Sequence, residues 1–374
     1  MTLPGIESHP HARAILLPAL PPEGRPSHAY LFHGPSGVGK REVARAFAAE
    51  LLADGAPSPE EARGRALRGA HPDLTWVTPS GAGEMLVGDV DEAVVAAAAR
   101  TPFESRRRVW VLEDAHTLNE QAANRLLKTL EEPAEYAHFV LLVPTVRELL
   151  ATIASRCQQV RFDPLPGAQI EARLKAAAGA ADSATLAACA RLGLGDARLA
   201  ERLAQPWGSR LRERVEEYVR GALSGDTGAR PWLELLQAAR DAGAGAGEEL
   251  AARAAAEAEL LPAKERKRHQ REAQEAGRRA ERRARAGALD LALRLAQLWL
   301  RDLWCTAEGA GELVYALDRR AELERDAVGR PPARLCEAVE LVRDTRLRLA
   351  HNVGEELALE ALAYRLQALL AVSG

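Results

Sequence analysis

The stretch "GPSGVGK" contains residues whose types and spacing suit phosphate binding. Gly34, Gly39 and Lys40 fit the pattern G-x-x-x-x-G-K, and Gly37 adds a further glycine inside it. Such glycines allow a tight loop whose backbone N–H groups converge on phosphate oxygens, and the lysine adds a full positive charge. An apolar run precedes the loop and a predicted helix, Lys40–Leu52, follows it. The sequence therefore predicts a nucleotide phosphate site.

The residue after the loop lysine departs from this pattern. Ser or Thr usually stands there and gives its hydroxyl to Mg²⁺, whereas this chain has Arg41. A guanidinium has only hydrogen-bond donors and carries a positive charge, so it cannot ligate a metal ion. We therefore expect a loop shaped for phosphate whose metal site is impaired.

A pair of acids, Glu113-Asp114, ends the apolar run "RVWVL". In a working ATPase the first acid of such a pair supports Mg²⁺ and the second orients the attacking water. The usual order is Asp then Glu, and the reversed order displaces each carboxylate by about a methylene, which matters for catalysis. A second interpretation, that the two acids cap the following turn, stays open from the sequence.

The elements that position these residues are short apolar runs separated by predicted helices, one of which is Asn119–Glu131. Such runs predict a buried parallel sheet, and hence an α/β domain, over residues 1–163. The five predicted strands are Ala29–Gly34, Asp73–Pro79, Arg108–Asp114, His138–Pro144 and Cys157–Phe162.

Two stretches that contain Pro and Gly, "DPLPG" and "QPWGS", divide the rest of the chain. They predict a small helical domain over 164–206 and an all-helical domain over 207–374. The charge-dense run Lys264–Arg285 falls in the second of these. Two interpretations of the run are open: a solvated helix face that continues into the amphipathic Leu289–Trp304, or a surface that contacts a DNA backbone or a partner subunit.

Composition excludes several classes of protein. The 374 residues are 47% hydrophobic and 28% charged with a net charge of −3, which suits a soluble globular chain. None of the four cysteines lies within three residues of another, so no C-x-x-C pair is present and a reducing cytosol is expected. The sequence also predicts no signal peptide and no membrane span. A cytoplasmic protein is the expectation.

Three stretches carry a resemblance to a known family. The stretch "VWVLEDAHTLNEQAANRLLKTLEEP", with "SHAYLFHGPSGVGK" and "ATIASRCQQVRF", resembles the clamp-loader branch of the AAA+ ATPases. Near the C-terminus, "RAGALDLALRLAQLWLRDL" and "LALEALAYRL" resemble the collar domain of that branch. The resemblance implies an α/β AAA+ P-loop domain with a parallel sheet, a small helical lid domain and an all-α collar domain that joins subunits.

The resemblance also implies an arrangement of sites. Clamp loaders are five-subunit rings that open a sliding clamp and place it on primed DNA, with ATP at the subunit interfaces. The family's Ser-Arg-Cys motif stands here as Ser155-Arg156-Cys157. Arg156 is therefore expected to be an arginine finger that acts in trans on a neighbour's γ-phosphate, where a rigid cation stabilises transition-state charge.

Two further positions follow from the resemblance. Arg198 falls where the family carries an arginine that reaches the subunit's own nucleotide, although an exposed helix arginine explains it equally well. Val143 stands where active members carry a polar sensor, and Thr145 is close but out of register. Many relatives insert a four-cysteine zinc module after the first helix, but residues 53–74 contain no cysteine. We expect no zinc and a structural role for His71.

These departures favour a stator subunit: one that hydrolyses no ATP itself and completes a neighbour's site. No cofactor is then required, and ATP or ADP would bind weakly or statically. The implied partners are gamma/tau-type motor subunits and a delta-type subunit, the sliding clamp, and primed DNA through the assembled ring. Three alternatives stay open: a motor subunit, a free-standing P-loop enzyme, and an interaction protein that makes no use of Arg156.

Overall fold

A computed structural model describes residues 3–79, 84–95, 100–177, 182–259, 263–349 and 353–371. The chain divides into two compact units, Met1–Leu165 and Pro166–Gly374. The first unit ends two residues beyond the predicted α/β domain.

The N-terminal unit alternates strands and helices along the chain. The predicted strands and helices are found with ends that differ by one or two residues, and helices α1, α3, α4 and α6 were not predicted. The bounds are α1 Pro10–Ala19, β1 Ala29–His33, α2 Lys40–Ala53, α3 Pro59–Leu67, β2 Leu74–Val77, α4 Val87–Val90, β3 Arg108–Leu112, α5 Glu120–Glu131, β4 Ala137–Val143, α6 Ala151–Ala154 and β5 Gln158–Arg161.

The five strands form one parallel sheet in the order β2-β3-β4-β1-β5. The carboxyl ends of β1, β3 and β4 therefore meet at one edge of the sheet. The glycine-rich loop leaves β1 there, and Glu113 leaves β3 there. Because His33 pairs with Val143 and Val77 pairs with Leu112, the register brings segments that are far apart in the chain to this edge.

Apolar side chains cover both faces of the sheet. On one face Phe47 of α2 packs edge-on against Tyr30, with ring centroids 5.1 Å apart. On the other, Trp110 stacks on Phe139 at 5.0 Å beside Leu126 of α5. A sheet buried on both faces needs continuous apolar strands, which is why these strands read as apolar runs rather than as alternating ones.

A buried histidine makes the N-terminal unit sensitive to acid. Burial lowers the pKa of His138 from 6.5 to about 4, and the charges of Arg107 and His28 act in the same direction. Between these two pH values the unfolded chain binds a proton at His138 that the folded chain does not bind. The stability of the folded chain therefore falls as the pH drops from 6.5 towards 4. We expect the free energy of unfolding, measured in urea, to be about 2 kcal/mol lower at pH 5 than at pH 7 because of His138. His138→Gln, measured at both pH values, should lack this difference; an unchanged pH dependence in the variant would contradict the assignment.

The described part of the C-terminal unit is helical, which confirms the predicted fold class of a parallel α/β domain followed by helices. The predicted boundary near Gln205 falls between two helices, and the division into a lid and a collar stays a prediction. The helices are α7 Gly167–Ala177, α8 Ser183–Leu192, α9 Ala197–Ala204, α10 Pro206–Ser224, α11 Trp232–Glu259, α12 Ala263–Ala307, α13 Arg320–Ala327, α14 Pro332–Leu349 and α15 Glu355–Leu370.

A buried ion pair holds part of this unit together. Arg212 of α10 donates from Nη2 to both carboxylate oxygens of Asp318, at 2.7 and 2.9 Å. Its Nη1 lies 3.8 Å from the Sγ of Cys189 on α8. The Arg212 and Asp318 side chains are only 6% and 8% exposed. The contact therefore links the predicted lid segment to the predicted collar segment within one compact unit.

Candidate functional site

The glycine-rich loop requires glycine at its first position. Gly34 has φ +148°, and a Cβ there would lie 2.1 Å from the carbonyl oxygen of Phe162. The Gly34 N–H donates to the Pro144 carbonyl at 3.0 Å, so the start of the loop is fixed to the end of β4 as well as to β1. Gly37 and Gly39 also adopt positive φ, at +68° and +102°. The backbone of the loop thus has the left-handed turns that L side chains disfavour.

Lys40, the first residue of α2, turns its ammonium back into the loop. Its Nζ donates to the carbonyl oxygen of Gly34 and, at 2.6 Å, to that of Pro35. These carbonyls are part of the loop that would surround a phosphate. The lysine therefore lies at the centre of the predicted phosphate site, and an anion there would compete with two carbonyl groups for its protons.

Arg41 contacts the acid at the end of β3. Its Nη2 lies 3.0 Å from Oε2 of Glu113. Trp76 of β2 donates from Nε1 to the same oxygen at 2.9 Å. The guanidinium carbon of Arg41 lies 5.6 Å from the centre of the Trp76 ring, and that of Arg45, one turn along α2, lies 4.6 Å from it. Arg41, Trp76 and Glu113 thus form one cluster beside the loop.

The chemistry of this cluster differs from that of a metal site. Mg²⁺ is bound through oxygen ligands, usually one or two carboxylates with substrate phosphates. Here a fixed cation and an indole N–H already lie on one oxygen of Glu113. The Arg41 and Glu113 side chains are 45% and 20% exposed, so the pair adds little to stability. The contact joins Arg41 to the acid at the end of β3 beside the glycine-rich loop.

Asp114, the second acid, lies at the turn after β3 in the left-handed conformation, with φ +53°. It precedes the 3₁₀ turn Ala115–Thr117, and its carboxylate makes no capping hydrogen bond to that turn. Thr117 instead donates from its hydroxyl to the Asp114 carbonyl at 2.7 Å. The interpretation of the acid pair as a cap therefore receives no support from the Asp114 side chain.

The position of the family's polar sensor is apolar and enclosed. Val143 is the last residue of β4 and is 1% exposed. An alkyl side chain there can neither polarise nor orient water. Thr145 is exposed and lies before the 3₁₀ turn Val146–Glu148 without capping it.

Arg156 follows α6 and lies at the surface. Its Nη2 is 2.6 Å from Oε1 of Glu131, the last residue of α5, and its Nη1 donates to the Thr152 carbonyl at 2.8 Å. The Arg156 and Glu131 side chains are 36% and 48% exposed. The adjacent Cys157 is buried, which raises the pKa of its thiol to about 12 and leaves it unreactive. The guanidinium is therefore held by a weak surface contact, which a phosphate group of a partner could replace.

Most of the predicted nucleotide-site residues belong to the N-terminal unit. Gly34, Gly37, Gly39, Lys40, Arg41 and Glu113 meet at one edge of the sheet in the N-terminal unit, with Asp114 next in the chain. Arg198 belongs to the C-terminal unit, where it is an exposed residue of α9.

His71 is part of a structural cluster. It is 3% exposed, its Nδ1 accepts from the Asp73 backbone N–H at 3.1 Å, and its Nε2 lies 3.0 Å from Oε1 of Glu104. Burial lowers the pKa of His71. The Asp73 carboxylate accepts backbone N–H groups from residues 103–105, which fixes the segment before β3. Within the described residues, no group of His, Cys, Asp and Glu is arranged to hold a metal ion.

Two contacts at the site were not found from the sequence. Trp76 was assigned only to a strand, and Glu131 only to a helix. A signal existed for Glu131, because "EEP" ends the helix just before β4. For Trp76 there was none, since only the pairing of β2 with β3 brings it to Glu113.

Comparison with known proteins finds similarity over the N-terminal part of the chain. Residues 15–166 match the family model described as "DNA polymerase III, delta subunit". The DNA polymerase III subunit delta' of Pseudomonas aeruginosa is 40% identical over 147 residues, which are 38% of this chain and 44% of that protein. The delta' subunit of Bacillus subtilis is 38% identical over 158 residues, 40% of this chain and 46% of that protein.

Similarity extends to proteins that carry the names tau and gamma. The tau subunit of Bacillus subtilis is 32% identical over 154 residues, 40% of this chain and 27% of that protein. A gamma subunit-related protein of Thermotoga maritima has 20% identity and a TM-score of 0.44 over 91% of this chain and 95% of that one. The chain spans less than half the length of the curated relatives it matches.

Among the helices of the described residues, none is long and apolar enough to cross a membrane.

Proposed function

We propose that the chain is a delta prime-type stator subunit of the DNA polymerase III clamp loader, with a degraded ATP site of its own. The contact between Arg41 and Glu113 carries this proposal. A motor subunit needs a hydroxyl and a free acid for Mg²⁺ at these two positions. In this chain the two positions are joined to each other instead.

The second half of the proposal concerns the neighbouring site. Arg156 is exposed and has only a surface ion pair and a backbone contact to give up. As an arginine finger in trans it would stabilise charge on the γ-phosphate of a motor subunit. Hydrolysis would then depend on assembly, because the loop and the finger belong to different chains.

The partners follow from this role. The chain would join gamma/tau-type motor subunits and a delta-type subunit in a five-subunit ring that loads the sliding clamp onto primed DNA in the cytoplasm. It would work within the DNA polymerase III holoenzyme, a nucleotidyltransferase, without an ATPase activity of its own. It would need no zinc, and ATP or ADP bound at Lys40 would stay unhydrolysed.

The competing proposal is a gamma/tau-type motor subunit, since such subunits are also among the relatives. Arg41 and Val143 oppose it, because one removes the metal hydroxyl and the other removes the polar sensor. A free-standing P-loop enzyme is opposed by Arg41 for the same reason.

Calorimetric titration with ATP and ADP, with and without Mg²⁺, tests the degraded site. We expect wild-type binding to be weak and independent of Mg²⁺. Arg41→Thr supplies a hydroxyl and frees Glu113, and should bind ATP about tenfold or more tightly with Mg²⁺ than without, which is about 1.4 kcal/mol.

Arg45→Thr is the matched control for this titration. It removes an arginine that also lies on the Trp76 ring but whose Nη1 donates to the Leu67 carbonyl at 3.3 Å rather than contacting Glu113. It should therefore leave nucleotide binding as in the wild type. If the wild-type chain binds MgATP tightly and hydrolyses it alone, it is a motor subunit, and Glu113 and Asp114 become its catalytic acids.

A further inference from the structure

Helices α11 and α12 form a long antiparallel pair, and their paired segments, residues 243–259 and 263–282, are here called the arm. Gly243 lies opposite Glu281, and Gly247 lies opposite Gly277. A Cβ on Gly243 would lie 2.9 Å from the Glu281 carbonyl oxygen, so the two backbones approach closely there. The paired segment of α11 is about 24 Å long at 1.5 Å per residue.

The α12 side of the arm and the turns that follow it are strongly basic. From Lys264 to Arg285 the sequence has ten Lys and Arg residues against four Glu. Arg271, Arg278 and Arg282 follow the spacing i, i+7, i+11, which puts them on one face of the helix. All three are exposed, and half-buried Arg279 lies beside them. These four are called the arm arginines; Glu275 is the one acid in the same sector.

Among the described residues, no ion pair or hydrogen bond joins the arm arginines to another residue. The cations closer to the base of α12 are used differently. Arg285 donates from Nε to Glu355 of α15 at 3.0 Å, and Arg346 of α14 donates to Asp290 at 2.6 Å. Arginine side chains thus join the base of α12 to the rest of the C-terminal unit, whereas Arg271, Arg278 and Arg282 are exposed to solvent.

The arrangement has a cost that an anionic partner would remove. Arg278 and Arg282 are one helical turn apart, and like charges at that spacing destabilise a helix. The open groove between α11 and α12, about 830 Å³ in volume, does not explain why all four arm arginines are present. Arg271 and Arg278 line that groove together with Glu248 and Glu281, whereas Arg279 and Arg282 do not line it, so the arm arginines extend beyond the groove along α12.

The chemistry of the face indicates which polyanion it suits. Single-stranded nucleic acid is held by aromatic side chains on which bases stack, together with cations. Residues 233–298 contain no Phe, Tyr or Trp. A row of arginines without aromatic residues suits phosphates whose bases are already paired, and such contacts carry no sequence information. From Arg271 to Arg282 the row spans about 16 Å, enough to cross a groove of a duplex.

We propose that the arm arginines bind the sugar-phosphate backbone of duplex DNA, as a site separate from the nucleotide site. The choice of DNA over other polyanions rests on the proposed function, which brings the chain to primed DNA.

The experiment replaces the four arm arginines, Arg271, Arg278, Arg279 and Arg282, with Gln in the full chain. Binding to a labelled duplex, and to one of its strands alone, is followed by fluorescence anisotropy over a range of salt concentrations. We expect the wild type to prefer the duplex. The variant should lower the slope of log K against log salt by about 3 to 4, since each phosphate contact contributes about 0.9.

A control with the same change of net charge separates position from charge. Its four substitutions to Gln lie at exposed arginines elsewhere in the C-terminal unit: Arg173, Arg210, Arg343 and Arg365. This control should keep the wild-type slope. The inference is overturned if the wild type does not bind the duplex at low salt, if the two variants lose the same slope, or if the arm variant binds as the wild type does.

A second probe covers an acidic protein as the partner. If the arm variant keeps duplex binding but loses binding to poly-glutamate, the face takes an acidic protein segment and the DNA inference is wrong. Duplex binding by the isolated chain needs neither ATP nor another subunit. Failure of this test therefore leaves the proposed role in the ring standing, and failure of an ATPase test in the assembled loader leaves the duplex result standing.

Discussion

Replacement of Arg156 by Ala should lower ATP hydrolysis at the neighbouring subunit's site by about 10³-fold or more in an assembled clamp loader. The physical reason is that the guanidinium meets charge that develops on the γ-phosphate only in the transition state. Its ground-state contacts, to Glu131 and to the Thr152 carbonyl, are at the surface and contribute little to stability. The variant should therefore fold and assemble as the wild type does.

The measurement is sharpest in a loader whose motor subunits have lost their own finger arginines. Arg156 is then the only finger left, and turnover at one site reports on it alone. Size-exclusion chromatography shows whether the ring still contains the variant chain. Arg156→Lys keeps the charge but loses the planar fork, and it should recover only part of the rate.

Two further variants control this result. Arg68→Ala removes an exposed arginine at the end of α3 and should leave turnover unchanged. Glu131→Gln removes the charge that holds Arg156 in the free chain and should change turnover far less than Arg156→Ala. If Arg156→Ala hydrolyses ATP at the wild-type rate in an intact ring, the chain is an interaction subunit and Arg156 has no catalytic role.

Replacement of Asp318 by Ala should destabilise the C-terminal unit by about 3–5 kcal/mol. The substitution leaves the Arg212 guanidinium buried with its two charged hydrogen bonds removed. The nearby Cys189 sulfur is too weak an acceptor to replace a carboxylate. Urea unfolding followed by far-UV circular dichroism measures the change.

A double variant separates charge burial from packing. Arg212→Met with Asp318→Leu removes both charges and should recover most of the lost stability. Glu340→Ala breaks an ion pair with Arg343 whose side chains are 51% and 53% exposed, and should cost no more than about 1 kcal/mol. If Asp318→Ala costs as little as Glu340→Ala, the buried pair does not hold α10 to the segment Leu317–Arg319.

Local chemistry made much of the N-terminal unit predictable. The runs that became β1 and β4 are apolar because both faces of a parallel sheet are covered, and their spacing by helices indicated the parallel arrangement. The ends of the elements were less predictable. Asn119 was placed inside a helix, whereas it lies just before α5 and its side chain accepts from the Ala122 N–H at 2.9 Å. Asn suits either position until the backbone direction is known.

The division into domains was predicted less completely. The boundary after the α/β domain followed from "DPLPG", which can continue neither a strand nor a helix. The contacts of Arg212 on α10 with Asp318 and with Cys189 of α8 could not be predicted. The three residues are far apart in the chain, and nothing in their neighbours marks them as buried.

The chemistry available at each position follows from the amino-acid sequence alone. Glycines at 34, 37 and 39 allow positive φ, Arg41 cannot ligate a metal, and Val143 cannot orient water; these properties belong to the residues wherever they lie. The folded chain was needed to show that Arg41 and Trp76 meet on one oxygen of Glu113 and that Arg156 contacts Glu131. Contacts between distant residues depend on strand order, register and helix packing, which are properties of the whole folded chain.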